Sequence, residues 1–336
     1  MAAPTPILRI VELKKHFPVH KGFFGQRTGS VKAVDGISFD ILAGETVAMV
    51  GESGCGKTTA GRAILRLVEP DSGEVWFKGT DILKLKGEAL RAQRRHMQII
   101  FQDPFSSLNP RQTIGQIIGN GLLLHGIAKD GAHAEELSKS ALDRVGLQPA
   151  YTSRYPHEFS GGQRQRIGIA RAVALAPDFI VCDEAVSALD VSVRAQVLNL
   201  LLDLKDKLDL CYLFVTHDLS VVRHIADHVV VMYLGQVVEK APREAIFSGA
   251  RHPYTQALLS AAPVAEPGRR RQRILLPGDV PSPIDPPAGC RFHTRCPIAQ
   301  ARCRVEAPRT HTVGPEHQVA CHEYEGRTER VDIRSR

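Results

Sequence analysis

The chain has 336 residues, of which 43% are hydrophobic and 24% charged, a composition typical of a globular protein with one large or two modest domains. It contains no apolar run long enough to cross a bilayer and no charged-then-apolar signal at its N-terminus. We therefore expect a cytoplasmic protein whose membrane role, if any, needs a partner. The net charge of +7 permits contact with nucleic acid or an anionic membrane without requiring either, and a solvated basic surface is the favoured explanation.

The N-terminal region predicts two strands, at residues 7–13 and 31–41, separated by a polar loop. Phe17 lies between them. An aromatic side chain upstream of a nucleotide site can stack on adenine, but a core phenylalanine fits the sequence equally well. Residues 45–50 form an apolar run that predicts a buried strand, and residues 58–68 have the composition of a helix.

Between that strand and helix lies the spacing G-x-x-x-x-G-K-[ST], which is the phosphate-loop motif. Backbone N–H groups and the helix dipole both favour anions at such a place, so the loop is suited to the phosphates of a nucleotide. We expect Lys57 to reach the β- and γ-phosphates and Thr58 to ligate Mg²⁺. A glycine-rich turn before an ordinary helix is the alternative. The predicted nucleotide-binding residues of the loop are Gly51, Ser53, Gly54, Cys55, Gly56, Lys57, Thr58 and Thr59.

Further along, strands and helices alternate, which predicts an α/β fold whose parallel sheet has helices on both faces. Glycines at positions 126, 131 and 146 are expected to break a mainly helical stretch. The predicted strands are 74–77, 97–101, 179–182 and 211–216, and the predicted helical regions are 111–150, 192–208 and 219–225.

Polar residues follow three of these strands. Asp183 and Glu184 come directly after a buried strand, where α/β folds build their sites. We expect Asp183 to hold Mg²⁺ through water and Glu184 to polarise the water that attacks the γ-phosphate. Gln102 is placed to contact both the metal and that water, and His217 to bond the γ-phosphate. Either residue alone would be interpreted as structural, but their matching positions favour a catalytic role.

A second glycine loop opens the helix that is predicted to end before Pro177. Its serine cap and two glycines create another helix N-terminus that can take phosphate. One nucleotide does not need two such loops from one chain, so we predict that this one completes the site of a partner subunit. The loop consists of Ser160, Gly161, Gly162 and Gln163.

Taken in this order, together with residues 187–190, the motifs resemble those of ABC transporter ATPase subunits over roughly residues 5–260. The resemblance implies an ABC-type P-loop NTPase domain with a mixed sheet flanked by helices and a helical subdomain at about 102–176. It also implies that two such domains bind two ATP–Mg²⁺ head to tail, with the Ser160 loop acting in trans. Asp190 would belong to the loop that links the two sites, and Phe17 would stack on adenine.

Residues 103–111, 191–196 and 251–258 narrow the resemblance to the dipeptide/oligopeptide-importer branch, in particular to the second of its two ATP-binding subunits. Two departures are Ala185, where the family usually has proline, and Phe159, where it commonly has leucine. The resemblance implies an ATPase at the cytoplasmic face of the membrane, bound peripherally, that couples hydrolysis to solute uptake. Dipeptides, longer peptides, glutathione and nickel chelates remain open as solutes.

The partners implied are a second ATP-binding subunit, two transmembrane permease subunits docking around residues 102–150, and indirectly an extracytoplasmic solute-binding protein. The second ATPase is expected to be a different chain, with a homodimer as the alternative, and no nucleic acid is expected. The competing hypothesis is a soluble ABC-type ATPase acting on nucleic acid or ribosomes. Such proteins usually have two ATPase domains or long coiled-coil insertions, whereas this chain has one motif set.

Beyond residue 260 the composition changes to a Pro- and Arg-rich linker, 261–289, followed by a cysteine-rich tail, 290–325. The tail cysteines lack the paired C-x-x-C spacing of zinc knuckles, and four thiolates can ligate a [4Fe–4S] cluster, zinc or nothing. Similar tails in this importer branch hold a cluster in some members, so the resemblance implies a structural [4Fe–4S] cluster. Separately, Cys55 beside a helix N-terminus is expected to be a reactive thiolate. The tail cysteines are Cys290, Cys296, Cys303 and Cys321.

Overall fold

The computed structural model describes residues 5–21, 26–103, 105–262 and 273–329. Several sequence predictions concern residues outside these ranges, namely Pro104, residues 263–272 of the Pro- and Arg-rich linker and the C-terminal end. The chain groups into two compact units. Unit 1 consists of the described residues up to Ile7, of Ile41–Glu45 and of Phe77–Val215, and unit 2 consists of Leu8–Asp40, Thr46–Trp76 and the chain from Thr216 onward.

The elements follow one another in this order. The strands are β1 (Leu8–Lys21), β2 (Gln26–Ile41), β3 (Thr46–Val50), β4 (Ser72–Phe77), β5 (Thr80–Asp81), β6 (Met97–Ile100), β7 (Phe179–Asp183), β8 (Cys211–Thr216), β9 (His228–Tyr233), β10 (Gln236–Pro242), β11 (Thr310–Gly314) and β12 (His317–Ala320). The α-helices are α1 (Lys57–Ile64), α2 (Gly87–His96), α3 (Ile114–Leu124), α4 (Gly131–Arg144), α5 (Gly161–Val173), α6 (Val191–Leu208), α7 (Leu219–Ile225), α8 (Arg243–Gly249) and α9 (Pro253–Ala261).

Unit 1 contains a parallel sheet in which β7 lies between β6 and β8. Strands β7 and β8 are buried along their whole length, as expected of continuous apolar runs covered on both faces. The register sets Ile100 beside Cys182 and Asp183 beside Val215. Because the strands are parallel, the residues that follow β6 and β7 emerge at the same edge of the sheet.

The helical part of unit 1 is built from α3, α4 and α5, which confirms the expected helical stretch. The prediction of a break at Gly131 is wrong, because α4 begins there. The Asp130 side chain caps this helix by accepting a hydrogen bond from the His133 N–H at 2.9 Å. Gly126 and Gly146 follow helix ends with φ values of 67° and 71°, so those two breaks are confirmed.

Unit 2 contains a mixed sheet in the order β11-β12-β10-β9-β3, in which only the β3–β9 pair is parallel. A second sheet places β1 between β2 and β4. The hairpin between β9 and β10 turns at Leu234 and Gly235, whose φ values of 44° and 81° are those of a tight primed turn. The sequence had predicted none of the strands from β9 onward, although the mixed sheet that the resemblance implied is confirmed.

The core of unit 2 includes residues from the cysteine-rich tail. Phe292 is 1% exposed and lies in the same apolar cluster as Val231, Ile246 and Tyr254. Strand β12 extends the sheet through antiparallel pairing with β10. The domain limits drawn from composition stay a prediction, while the contacts place this segment inside unit 2.

Across the described ranges, no helix combines the length and apolar character needed to span a membrane.

Candidate nucleotide site

The phosphate loop connects β3 to α1 within unit 2. Gly54 and Gly56 have φ values of 79° and 105°, a region that side chains rarely adopt. At Gly56 space is the stronger constraint, because a Cβ there would lie 1.8 Å from the carbonyl oxygen of Ala33. Helix α1 begins at Lys57 with glycine as its N-cap. The loop therefore brings backbone and a helix N-terminus to one point, as phosphate binding requires.

Lys57 is 4% exposed, and its ammonium group contacts the backbone of the phosphate loop. The Nζ donates hydrogen bonds to the carbonyl oxygens of Gly51 at 2.8 Å and Glu52 at 2.9 Å, and lies 3.8 Å from the Cys55 sulfur. The expected reactivity of Cys55 is wrong, because burial raises the pKa of its thiol although Lys57 opposes that effect. Desolvation thus outweighs the helix N-terminus at this position.

The acidic pair lies in unit 1, at the end of β7. Asp183 is the last residue of that strand and is 2% exposed. Glu184 has φ of 48°, an unfavourable value for a residue with a side chain. Its backbone is held there, since its N–H donates to the Val215 oxygen at 2.9 Å and its carbonyl accepts from the Ser187 N–H and hydroxyl at 3.0 and 2.9 Å. The residue predicted to be catalytic therefore has a left-handed backbone that these hydrogen bonds hold in place.

The side chains of Gln102 and Glu184 meet in unit 1. The Gln102 amide donates to Glu184 Oε2 at 2.9 Å, although 82 positions separate the two residues. This contact follows from the pairing of β6 with β7, which the sequence predicted only as two separate strands. The contact places an amide donor against one carboxylate oxygen of Glu184.

The Ser160 loop caps α5 in unit 1 by a reciprocal pair of bonds. The Ser160 hydroxyl accepts from the Gln163 N–H at 3.3 Å, and the Gln163 side chain accepts from the Ser160 N–H at 3.0 Å. At Gly162 a Cβ would lie 2.4 Å from the Cγ1 methyl of Val193 in α6, so a larger residue would require that side chain to move. The Ser160 residue itself is exposed.

The other predicted site residues are distributed over both units. Asp190 is the N-cap of α6 in unit 1, where its carbonyl accepts from the Arg194 N–H at 2.8 Å. Phe17 lies in β1 of unit 2 and is 38% exposed, with the Lys15 ammonium 5.4 Å from its ring centroid. His217 follows β8, near the start of the segment of unit 2 that begins at Thr216. The individual roles assigned to these residues stay predictions.

Sequence reasoning missed Tyr254 and Arg295, which both contact Glu52 of the phosphate loop. Tyr254 lies within the stretch 251–258 that supports the family resemblance, but nothing in its spacing indicates a contact with residue 52. Arg295 lies next to Cys296, and no pattern in the residues around it indicates a contact with Glu52. Both residues are distant from Glu52 in sequence, so their contacts with it appear only in the folded chain.

The metal prediction for the tail is wrong. Among the described residues, no group of three or more His, Cys, Asp or Glu side chains is arranged to hold a metal ion, so the [4Fe–4S] cluster is unsupported. Burial raises the pKa of the Cys290 thiol, and those of Cys296 and Cys321 to about 12, which keeps these thiols protonated. Together with Cys303 they line a small apolar pocket beside Phe292. All four are partly buried.

Comparison with protein families gives two matches. A model described as "ABC transporter" matches residues 34–187, and one described as "Oligopeptide/dipeptide transporter, C-terminal region" matches residues 238–303. Among similar proteins, the oligopeptide transport ATP-binding protein AppF of Bacillus subtilis is 51% identical over 95% of this chain and 97% of its own length. The dipeptide transport ATP-binding protein DppF of Haemophilus influenzae is 50% identical over 94% and 96%.

Solved structures agree on the fold. The ATP-binding cassette MJ0796, in a dimeric post-hydrolysis state bound to ADP and Pi, has a TM-score of 0.62 at 26% identity and covers 70% of this chain and 98% of its own. CbiO1 of Clostridium perfringens, part of the transporter complex cbiONQ, has a TM-score of 0.61 at 25% identity and covers 72% and 91%. The ABC ATPase fold expected from the sequence is confirmed, and a nucleic-acid or ribosome ATPase is not favoured.

Proposed function

We propose, for a chain that belongs to the ATP-binding subunits of ABC-type oligopeptide and dipeptide transporters, that it hydrolyses ATP to drive the import of di- or oligopeptides. The observation that carries this proposal is the match of about half of all residues over nearly the full length of two transport subunits, including the C-terminal region. A shared fold alone would support ATP binding but not the solute.

The phosphate loop binds the β- and γ-phosphates in this proposal. Lys57 exchanges its bonds to the carbonyls of Gly51 and Glu52 for bonds to phosphate oxygens, which lie on a more negative group. Mg²⁺ takes oxygen ligands, which the Thr58 hydroxyl, the Gln102 amide and the Asp183 carboxylate can supply. When bound, the ion neutralises charge on the β- and γ-phosphate oxygens.

Glu184 serves as the general base. The Gln102 amide bonds one of its carboxylate oxygens, and the other accepts a proton from the water that attacks the γ-phosphate. The strained backbone at φ 48° is held by Val215 and Ser187, so the carboxylate has little freedom to turn away. His217 donates a hydrogen bond to the γ-phosphate, and Phe17 stacks on the adenine.

A second ATP-binding subunit completes the catalytic arrangement. Its γ-phosphate is contacted by the exposed Ser160 loop of this chain, and Asp190 links the two sites. The partner ATPase is a different chain, with a homodimer as the alternative. Two permease subunits bind the helical region around residues 102–150, where α3, α4 and the turn Pro149–Ser153 border a groove of about 280 Å³. The complex lies at the cytoplasmic face of the membrane and receives solute from an extracytoplasmic binding protein.

The test is the substitution Glu184→Gln, with the exposed Glu88→Gln as its matched control. We expect the turnover number for ATP to fall by roughly 10²–10⁴-fold while the ATP dissociation constant stays the same, since only the proton acceptor is lost. In proteoliposomes with the permease subunits and binding protein, the same variant should stop peptide uptake. Undiminished hydrolysis in Glu184→Gln would show that Glu184 is not the general base. Uptake of nickel chelate or glutathione, but not of peptide, by the unchanged complex would show that the transported solute is not a peptide.

A further inference from the structure

A short turn of the C-terminal segment, residues 290–296, contacts the phosphate loop through an ion pair. The Arg295 guanidinium donates from Nη1 to Glu52 Oε2 at 2.8 Å and from Nη2 to Glu52 Oε1 at 3.3 Å. We propose that Arg295 is a positioning residue that holds the phosphate loop in its binding shape, so that ATP affinity depends on the folded C-terminal segment. The inference rests on the proposed binding of ATP at this loop.

The ion pair is sheltered from water. The Arg295 side chain is 9% exposed and that of Glu52 is 28% exposed. Two parallel bonds between a guanidinium and a carboxylate fix direction as well as distance, which an exposed lysine pair does not. Glu52 is the second residue of the loop. The pair therefore restrains the start of the loop, where the carbonyl groups of Gly51 and Glu52 accept the hydrogen bonds of Lys57.

The backbone of Glu52 is held independently. Its N–H donates to the Tyr254 hydroxyl at 2.8 Å. Tyr254 packs with its ring centroid 4.7 Å from that of Tyr233 and 5.5 Å from that of Phe292, and Phe292 belongs to the same turn as Arg295. The aromatic cluster therefore joins the turn to the loop through a second, uncharged path.

A second arginine of the turn supports the underside of the loop. Arg291 donates to the carbonyl oxygen of Leu234 and to the carboxylate of Asp35. Gly235, which follows Leu234, donates its N–H to the carbonyl oxygen of Cys55 at 2.8 Å. Its own carbonyl oxygen accepts from the Asp35 N–H at 2.8 Å. Both arginines of the turn thus act on the loop, one at its start and one at its middle.

The consequence is a loop ordered before nucleotide arrives. Glycines lose more conformational freedom on ordering than other residues, and this loop has glycine at positions 51, 54 and 56. If the turn has already ordered the loop, ATP does not have to, and it binds more tightly. Lys57 donates to the Glu52 carbonyl at 2.9 Å, so a displaced Glu52 also displaces an anchor of that ammonium.

The experiment measures Mg–ATP binding by calorimetry and steady-state hydrolysis for Arg295→Ala. We expect the dissociation constant and KM to rise on the order of tenfold, with kcat changed by less than about twofold, as for a coupled site that does not touch the reacting atoms. Arg302→Ala is the matched control, because within the described ranges the Arg302 side chain bonds to groups of the tail, namely Gln300, Glu325 and the His322 carbonyl. It should bind ATP like the unchanged protein.

The double exchange Glu52→Arg with Arg295→Glu tests whether ATP affinity depends on the pair itself. Reversing the pair should recover most of the ATP affinity that either single change removes, whereas independent effects of the two residues would make the losses add. Should Arg295→Ala fail to fold, Arg295→Lys, which keeps the charge but not the two-point bond, takes its place with the same expected rise in KM.

Three results would overturn the inference. Unchanged ATP affinity in Arg295→Ala, an equal loss in Arg302→Ala, or a loss in kcat without a change in KM each contradicts positioning of the loop. Lys57→Ala tests the premise, because it should weaken ATP binding more than Arg295→Ala does. If Lys57→Ala binds ATP normally, the proposed function of the loop fails, and the inference fails with it.

Discussion

Adding one methyl group at Gly56 should destabilise the protein far more than adding it at Gly54, two residues away. At Gly56 the new Cβ would lie 1.8 Å from the Ala33 oxygen and 3.7 Å from Gly235 Cα, at φ 105°. At Gly54, among the described residues, no atom lies within 4 Å of the new Cβ, and φ is 79°. The two substitutions therefore share the backbone penalty but differ in the steric clash.

The expected magnitudes follow from that difference. The left-handed backbone costs a residue with a side chain about 1 kcal/mol, which is the whole loss expected for Gly54→Ala. Overpacking against backbone adds about 1–3 kcal/mol, so Gly56→Ala should lower the free energy of unfolding by about 2–4 kcal/mol. Relief of the clash requires the loop to leave Ala33, and we therefore expect the dissociation constant for ATP to rise at least about tenfold.

Urea unfolding without nucleotide, followed by circular dichroism, measures the stability of both variants, and calorimetry measures ATP binding. Equal losses of stability at the two positions would refute the argument that Ala33 sets the size limit at Gly56. Retained ATP affinity in Gly56→Ala, together with the expected loss of stability, would show that the loop binds phosphate in a different shape.

Three other changes test local features, besides those described for Glu184 and Arg295. Ser160→Ala removes a cap from α5 and should cost about 1 kcal/mol by urea unfolding, and ATPase activity of the assembled complex should be lost while ATP binding persists. Tyr324→Phe removes a bond of 2.9 Å to the Arg251 carbonyl and should cost about 1 kcal/mol, whereas an unchanged midpoint would show that water replaces the hydroxyl. Burial lowers the pKa of His252 to about 4, against the pull of Glu239, so below its ordinary pKa of 6.5 the unfolded chain binds the proton first. Stability should fall by about 3 kcal/mol between pH 6.5 and 4, and His252→Gln should flatten that slope.

Short-range features of the site could be predicted from the sequence. The phosphate loop, the Ser160 cap and the acids after β7 depend on residues within a few positions of one another, and each has the local geometry that its pattern predicts. Helix and strand periods likewise reflect neighbouring residues, so the elements from β6 to α7 were located with small errors at their ends.

The errors arose where a residue's environment comes from distant segments. Gly131 was expected to break a helix, but Asp130 caps that helix, and its stability depends on packing against α3. Cys55 was expected to be reactive because it lies beside a helix N-terminus, whereas the desolvation that packing imposes raises the pKa of its thiol. The cluster in the tail was inferred from the resemblance, which does not determine how the side chains of this chain are arranged.

The sequence by itself determined the local chemistry of ATP binding and hydrolysis, because those motifs carry their own backbone geometry. Only the tertiary structure decided that Gln102 bonds Glu184 and that Arg295 bonds Glu52, pairs separated by 82 and 243 positions. Such contacts leave no periodic pattern in the sequence. They form only when strand pairing and core packing offset the conformational entropy that is lost on closing long loops. The tail cysteines show the same limit, because only the folded chain shows that they are partly buried and line a small apolar pocket.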